Sequence, residues 1–203
     1  MNIFQEESKV PEKQIRAFYT KDFIRVYQAY SDIIADSVIR NGAFVSPPFS
    51  MTRMTWIKPS FLWMMYRSDW GMKDLGQKRI LAIDLTHEGF FTLISQGVLN
   101  HHNNMDISED AEVWKLKIKS SDVVIQWDPE RDIYLNKLNY RTIQIGLRNK
   151  AVYDYCHKWI VDINDLTELT KEIHNLIILG DIDGARKLLP IENKYELGNN
   201  FYP

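Results

Sequence analysis

Apolar positions along this chain change period several times, and the changes mark its elements. FIRVYQAY, residues 23–30, is rich in β-branched and aromatic side chains with partial alternation, and predicts a strand. Ile33, Ile34, Val38 and Ile39 then recur at helical spacing, with Ser31 or Asp32 as the cap and Asn41-Gly42 as the stop. Pro47-Pro48 predicts an extended linker, because a proline excludes the residue before it from the helical region. Pro59 suits the first turn of a helix reaching about Ser68, nearly apolar all round at Phe61, Leu62, Met64 and Met65. RILAIDL, residues 79–85, predicts a strand that leads through Thr86 into a helix over 88–96. Residues 100–110 read as a loop. Val123 to Trp127 is a strand stopped by Pro129, and RTIQIGL, residues 141–147, is another. A short helix or turn over 151–156, a strand over 159–163, a helix from about 167 to 179 and a last short helix over 181–189 follow. The tail from Pro190 carries Tyr195, Phe201 and Tyr202 and is expected to pack back on the body.

Five or six short strands interspersed with helices, without regular βαβ spacing, predict an α+β fold. The expectation is one compact domain over residues 15–203, with a mixed, mostly antiparallel sheet and flanking helices, preceded by a flexible polar segment, 1–14. No repeat interrupts this picture.

Composition adds detail rather than changing the class. The 203 residues have a formal charge of -2, so overall basicity gives no argument for nucleic acid. Charge is unevenly spread, however: Arg53 to Arg79 holds six basic residues against two acids, and Asp84 to Asp132 holds ten acids against four bases. A focused positive region of this kind attracts phosphates, unless the two regions pair with each other across the fold. Cys156 is the one cysteine, which excludes an internal disulfide and suits a reducing compartment. The first residues lack the basic start and apolar run of a signal peptide, and no apolar stretch reaches the ~18 residues of a membrane span. A cytoplasmic location is the expectation.

Candidate chemistry gathers in four places. RMTWIKPSFLWMMYRSDWG, residues 53–71, interleaves Trp56, Trp63 and Trp70 with Arg53, Lys58 and Arg67, as the wall of a pocket for a flat or sugar-like anionic ligand would. In the first strand Arg25 and Tyr27 share one face and Gln28 takes the other; a cation before a helix start suits a phosphate, and an edge strand with solvated polar residues accounts for the same letters. WDPERD, residues 127–132, sets Asp128, Glu130 and Asp132 two apart, for acid–base work, a divalent cation or simply a charged turn. In RTIQIGL, Gln144 and Gly146 lie on the face opposite the isoleucines, where an amide meets a cleft and a missing side chain permits close approach. The histidines, including His101 and His102, show no metal-ligand spacing, and Cys156 reads as a buried, inert thiol. There is no Gly-rich dinucleotide fingerprint, no Walker lysine loop and no G-x-S-x-G elbow.

IRAFYTKDFIRVYQAY, RMTWIKPSFLWMMYRSDWG, QWDPERD, RTIQIGL and the YELG region together resemble the DUF4291 family, whose function is unassigned. More distantly, IRVYQAYSDIIADSVIRNGAF resembles the opening of the ADP-ribosyltransferase fold, where a strand bearing histidine or arginine precedes a helix. That resemblance implies a split sheet and an NAD-dependent transferase acting on a nucleic-acid, nucleotide or protein acceptor. Gln28, with Arg25 nearby, is similar to the first-strand position, and Gln144 to the late-strand residue that orients ribose or acceptor. The usual histidine or arginine and the usual carboxylate are both replaced. The resemblance implies nicotinamide stacked on Tyr27, Tyr30 or Trp56, the pyrophosphate near Arg25, Arg53 or Lys58, and Asp128 or Glu130 as the base, with no metal. Two other classes stay open: a nucleic-acid or nucleotide-binding module built on residues 53–79, and a metal-dependent phosphoesterase or nuclease built on the WDPERD carboxylates.

Overall fold

The computed structural model describes residues 13–100 and 111–197. Among these described residues nine strands and seven helices follow one another in the order β1 (Arg16–Ala17), β2 (Ile24–Tyr30), α1 (Asp32–Asn41), β3 (Thr55–Ile57), α2 (Phe61–Ser68), β4 (Arg79–Leu85), α3 (His87–Gln96), β5 (Val98–Leu99), α4 (Ala111–Ser120), β6 (Val123–Arg131), β7 (Lys137–Leu147), α5 (Lys150–Asp154), β8 (Ile160–Asp165), α6 (Thr167–Ile178), α7 (Ile182–Leu188) and β9 (Asn193–Lys194). They form a three-stranded sheet, β2-β4-β8, a four-stranded sheet, β3-β7-β6-β5, and the small pair β1-β9. Every pairing is antiparallel except β5 with β6, so the mixed, mostly antiparallel α+β expectation holds. The two larger sheets abut where the Tyr27 N–H donates to the Lys58 carbonyl at 2.7 Å.

Strand parity decides which residues meet. In β4 the odd positions Leu81, Ile83 and Leu85 face the same core as Val26, and Ile57, Ile125, Ile143, Ile145 and Leu147 meet them from the four-stranded sheet. Helices α1 and α3, with Val152 of α5, close this space between the sheets. The even positions Ile80 and Ala82 face outward with Tyr27, beneath Phe61, Met64 and Met65 of α2 and Ile173 of α6. Strand β4 is buried on both faces, which is why RILAIDL reads as a nearly unbroken apolar run.

Several boundaries depart from the sequence reading. Residues 46–48 form a turn rather than an extended linker, and the Phe49 N–H donates to the Val45 carbonyl at 3.1 Å, packing Phe49 against Phe44 with the rings tilted by 48°. Ser60, not Pro59, opens α2: its hydroxyl accepts from the Trp63 N–H at 3.2 Å. Strand β6 does not stop at Pro129 but runs to Arg131 through a register shift. Strand β5 reaches only as far as Ile125, so among the described residues that side of β6 has no neighbour at Pro129 to need an N–H there. Helix α4 and strand β5 lie in a stretch where no element was expected. Gln14 is fixed within the supposedly loose N-terminal segment, its N–H donating to the Arg141 carbonyl at 2.9 Å. The expected 100–110 loop, with His101 and His102, lies outside the described residues but for Asn100, as do Phe201 and Tyr202; Tyr195 does pack back, against Phe90 and Tyr19.

Candidate functional site

The four-stranded sheet turns its isoleucines inward, so its alternate positions share the opposite face. The register pairs Trp56 with Gly146 and Val124, Gln144 with Gln126, and Thr142 with Asp128, and Lys58 continues the series just beyond β3. Gly146 leaves room there: a Cβ would lie 2.9 Å from Met54 Cε and 2.9 Å from Trp56 Cη2, so the Trp56 indole lies directly over the bare backbone. Polar side chains on a strand need partners or water, and this half-exposed face supplies both.

Asp128 is its fixed point. Its Oδ2 accepts from Lys58 Nζ at 3.0 Å, and its Oδ1 accepts from Gln126 Nε2 at 2.9 Å. Lys58 itself is 1 % exposed, with Nζ 3.1 Å from the centre of the Trp63 ring on α2. Burial drives the lysine pKa down to about 7, and the charges of Asp128 and Glu130 offset that only in part. Beside this pair the Thr142 hydroxyl is buried with no hydrogen-bond partner, and the Gln144 amide and Trp56 ring have none among the described residues. A doubly oriented carboxylate on one sheet face with an unpartnered amide and an unstacked indole can accept protons, bind sugar hydroxyls and stack a ring.

A second polar cluster adjoins it at the start of α2. Ser60 Oγ donates to Glu130 Oε1 at 2.7 Å, and Glu192, arriving from the C-terminal segment, accepts the Phe61 N–H at 2.7 Å. Burial, with Glu130 nearby, raises the Glu192 pKa well above the usual range; burial and the same two carboxyl groups push Tyr140 up to about 12.

The remaining candidates are elsewhere. Arg25 grips Asp84 with two hydrogen bonds of 2.7 and 2.8 Å, and its guanidinium lies over Phe18 and Phe23. Gln28 sits between the sheets, donating to Thr55 Oγ1 and the Trp56 carbonyl and accepting from the Tyr155 hydroxyl at 2.8 Å. It is therefore neither solvated nor open to a ligand. Tyr27 is sealed under α2 against Phe61, and Tyr30 packs edge-on against Phe44 and Phe49. Arg53 is exposed on the loop before β3. Thus Trp56, Lys58, Asp128 and Gln144 share one face of the sheet, with Lys58 and Asp128 in contact and Glu130 adjoining, and Arg25, Tyr27, Gln28 and Tyr30 lie elsewhere.

The three WDPERD carboxylates are kept apart: Asp128 faces Lys58, Glu130 faces Ser60, and Asp132 accepts the backbone N–H groups of Tyr134 and Asn136. Among the described residues no group of three His, Cys, Asp or Glu side chains is placed to hold a metal. Between the basic and acidic stretches Lys58–Asp128 is a direct ion pair, whereas Arg79 goes to Asp32, Asp36 and Asp165. Cys156 is buried and its thiol is pushed up to about 12 by that burial, as befits an inert side chain.

Gln126 and Thr142 escaped the sequence reading for different reasons. Gln126 was legible by parity once β6 ran past Pro129, since positions 126 and 128 then share a face. Thr142 was on the right face, but nothing local marked it as buried and unpartnered. Glu192 had no signal at all.

The sequence pattern of DUF4291, described as a domain of unknown function, matches residues 14–195. The chain belongs to this family. The match includes β3, β6 and β7, so every residue of the polar face lies within the family domain. Comparison with curated proteins finds no match to this sequence. Among the described residues no helix is long and apolar enough to cross a membrane.

Proposed function

We propose that the polar face of the four-stranded sheet binds the nucleoside part of a nucleotide, and that the chain is an ADP-ribosyltransferase-like enzyme acting at the N-glycosidic bond of NAD. The observation that carries this reading is Asp128, held on both oxygens on the same half-exposed face as Gln144 and Trp56. The nicotinamide riboside half of NAD suits these residues: a ring for Trp56, a hydroxyl for Gln144 and a cationic centre for Asp128. The pyrophosphate finds Arg25 already bound to Asp84 and Lys58 to Asp128, so those two do not serve it.

In this mechanism Trp56 fixes the plane of the ring and Gln144 holds the ribose. Asp128 lends negative charge to the anomeric carbon as positive character develops there, while the carbon–nitrogen bond breaks and nicotinamide leaves with the electron pair. An acceptor oxygen bonds to that carbon, and its proton passes to Asp128. Lys58 keeps the carboxylate aimed until that transfer.

Purified protein incubated with NAD, alone and with RNA, DNA or protein acceptors, tests the reading by release of nicotinamide. Asp128→Asn should slow release by about 100-fold or more, the usual scale for a general base, and Gln144→Ala should mainly raise KM. Binding of NAD without release in any arm would favour a non-catalytic nucleotide-binding module, for which the unstacked Trp56 is the supporting feature. Neither binding nor release would overturn both.

A further inference from the structure

Arg131, where β6 ends, is 8 % exposed, yet its guanidinium makes no ion pair among the described residues. Its Nη1 donates to the Leu135 carbonyl at 3.2 Å. Its Nε is buried with no partner, and Nη2 makes no hydrogen bond either. These two nitrogens form one edge of the planar fork, the edge that meets a phosphate or carboxylate with two parallel bonds. The neighbouring acid does not fill it, because Glu130 turns back to Ser60 Oγ and to the Arg131 backbone N–H at 2.8 Å. The guanidinium carbon lies 3.4 Å from the centre of the Tyr66 ring, so the fork is held flat while its edge stays unsatisfied. A buried, unpaired cation is costly, and an anion supplied by a ligand removes the cost.

We infer that the Nε–Nη2 edge of Arg131 is an anion subsite that takes a phosphate group of the ligand bound on the adjoining polar face. Arg131 follows Asp128 by three residues on one strand, a separation of about 10 Å at most, within the span from a stacked ring to the phosphates of a nucleotide. Its charge already weighs against the protonated form of Lys58, so the two cations lie within electrostatic reach of each other. Lys58 is neutralised by Asp128 and Arg131 is not, which makes Arg131 the cation free to recognise phosphate. The subsite rests on the nucleotide reading for the rest of the ligand, while the fork would hold phosphate without it.

Calorimetric titration with inorganic phosphate, nicotinamide riboside and nicotinamide mononucleotide separates the two ideas. Wild type should bind the mononucleotide at least tenfold more tightly than the riboside. Arg131→Gln should abolish that ratio and phosphate binding while leaving riboside affinity unchanged. Arg131→Lys, which keeps the charge without the fork, should fall between them and guards against loss of folding in the glutamine variant. Phosphate binding that depends on Arg131 when neither nucleoside probe binds would support the subsite and sink the nucleotide reading. Equal affinity for riboside and mononucleotide in wild type, or a ratio unchanged in Arg131→Gln, would overturn the subsite.

Discussion

Replacing Lys58 by methionine asks what a buried charge costs this fold. The amine is 1 % exposed, lodged between the Trp63 ring and Asp128. Its pKa falls from 10.5 to about 7, chiefly through burial. A lysine with a folded value below its unfolded value binds its proton more tightly in the unfolded chain, so protonation favours unfolding. That penalty is complete below pH 7 and fades as pH rises toward 10.5, where the unfolded lysine gives up its proton too. The fall corresponds to about 5 kcal/mol, an upper bound, since relaxation and water penetration reduce such penalties. Methionine has a similar length and packs well against an aromatic ring. It leaves Asp128 Oδ2 without its partner, at about 1 kcal/mol, because that carboxylate reaches water. Lys58→Met should therefore be more stable than wild type by about 2–4 kcal/mol at pH 6, with the gap closing by about pH 10. Urea denaturation of both proteins at pH 6, 7.5, 9 and 10 measures it, and the difference isolates Lys58 because the other titrating groups are common to both. Under the proposed function, nicotinamide release should slow instead, since Asp128 loses the group that aims it. A gap that stays constant across this range, or a variant less stable than wild type at pH 6, refutes the reasoning.

Arg25→Gln strands Asp84, 2 % exposed, without its cation and should cost about 3–5 kcal/mol, with part recovered when Asp84→Asn is added. If Arg25 instead held the pyrophosphate of NAD, the substitution would raise KM and leave the denaturation midpoint where it was. Gly146→Ala pushes on the flexible end of Met54 and on the rigid Trp56 ring, so it should cost about 1–3 kcal/mol of stability. Affinity for nicotinamide mononucleotide should also drop several-fold because the indole shifts; unchanged affinity would remove Trp56 from the site.

The strands were legible because a period of two is a local property, and the same parity set Gln144 and Gly146 opposite the isoleucines before any contact was known. RILAIDL and RTIQIGL show this most directly, the first buried on both faces and the second on one. The end of β6 was not legible, since whether Pro129 stops a strand depends on whether a neighbour needs its N–H, and that neighbour is β5. The roles of the cations were equally hidden. Arg25 and Lys58 look alike in sequence as phosphate binders, but their partners lie 59 and 70 positions away.

The letters alone determined the α+β class, most of the strands and the face each strand residue takes, because propensity, capping and alternation act over a few residues. Tertiary structure decided which charges were satisfied. It locked Arg25 to Asp84 and Gln28 into the core, set Lys58 against Asp128, and left one edge of Arg131 unpartnered. Pairing of a charge is set by whatever long-range packing brings within about 4 Å, and no local pattern encodes that distance.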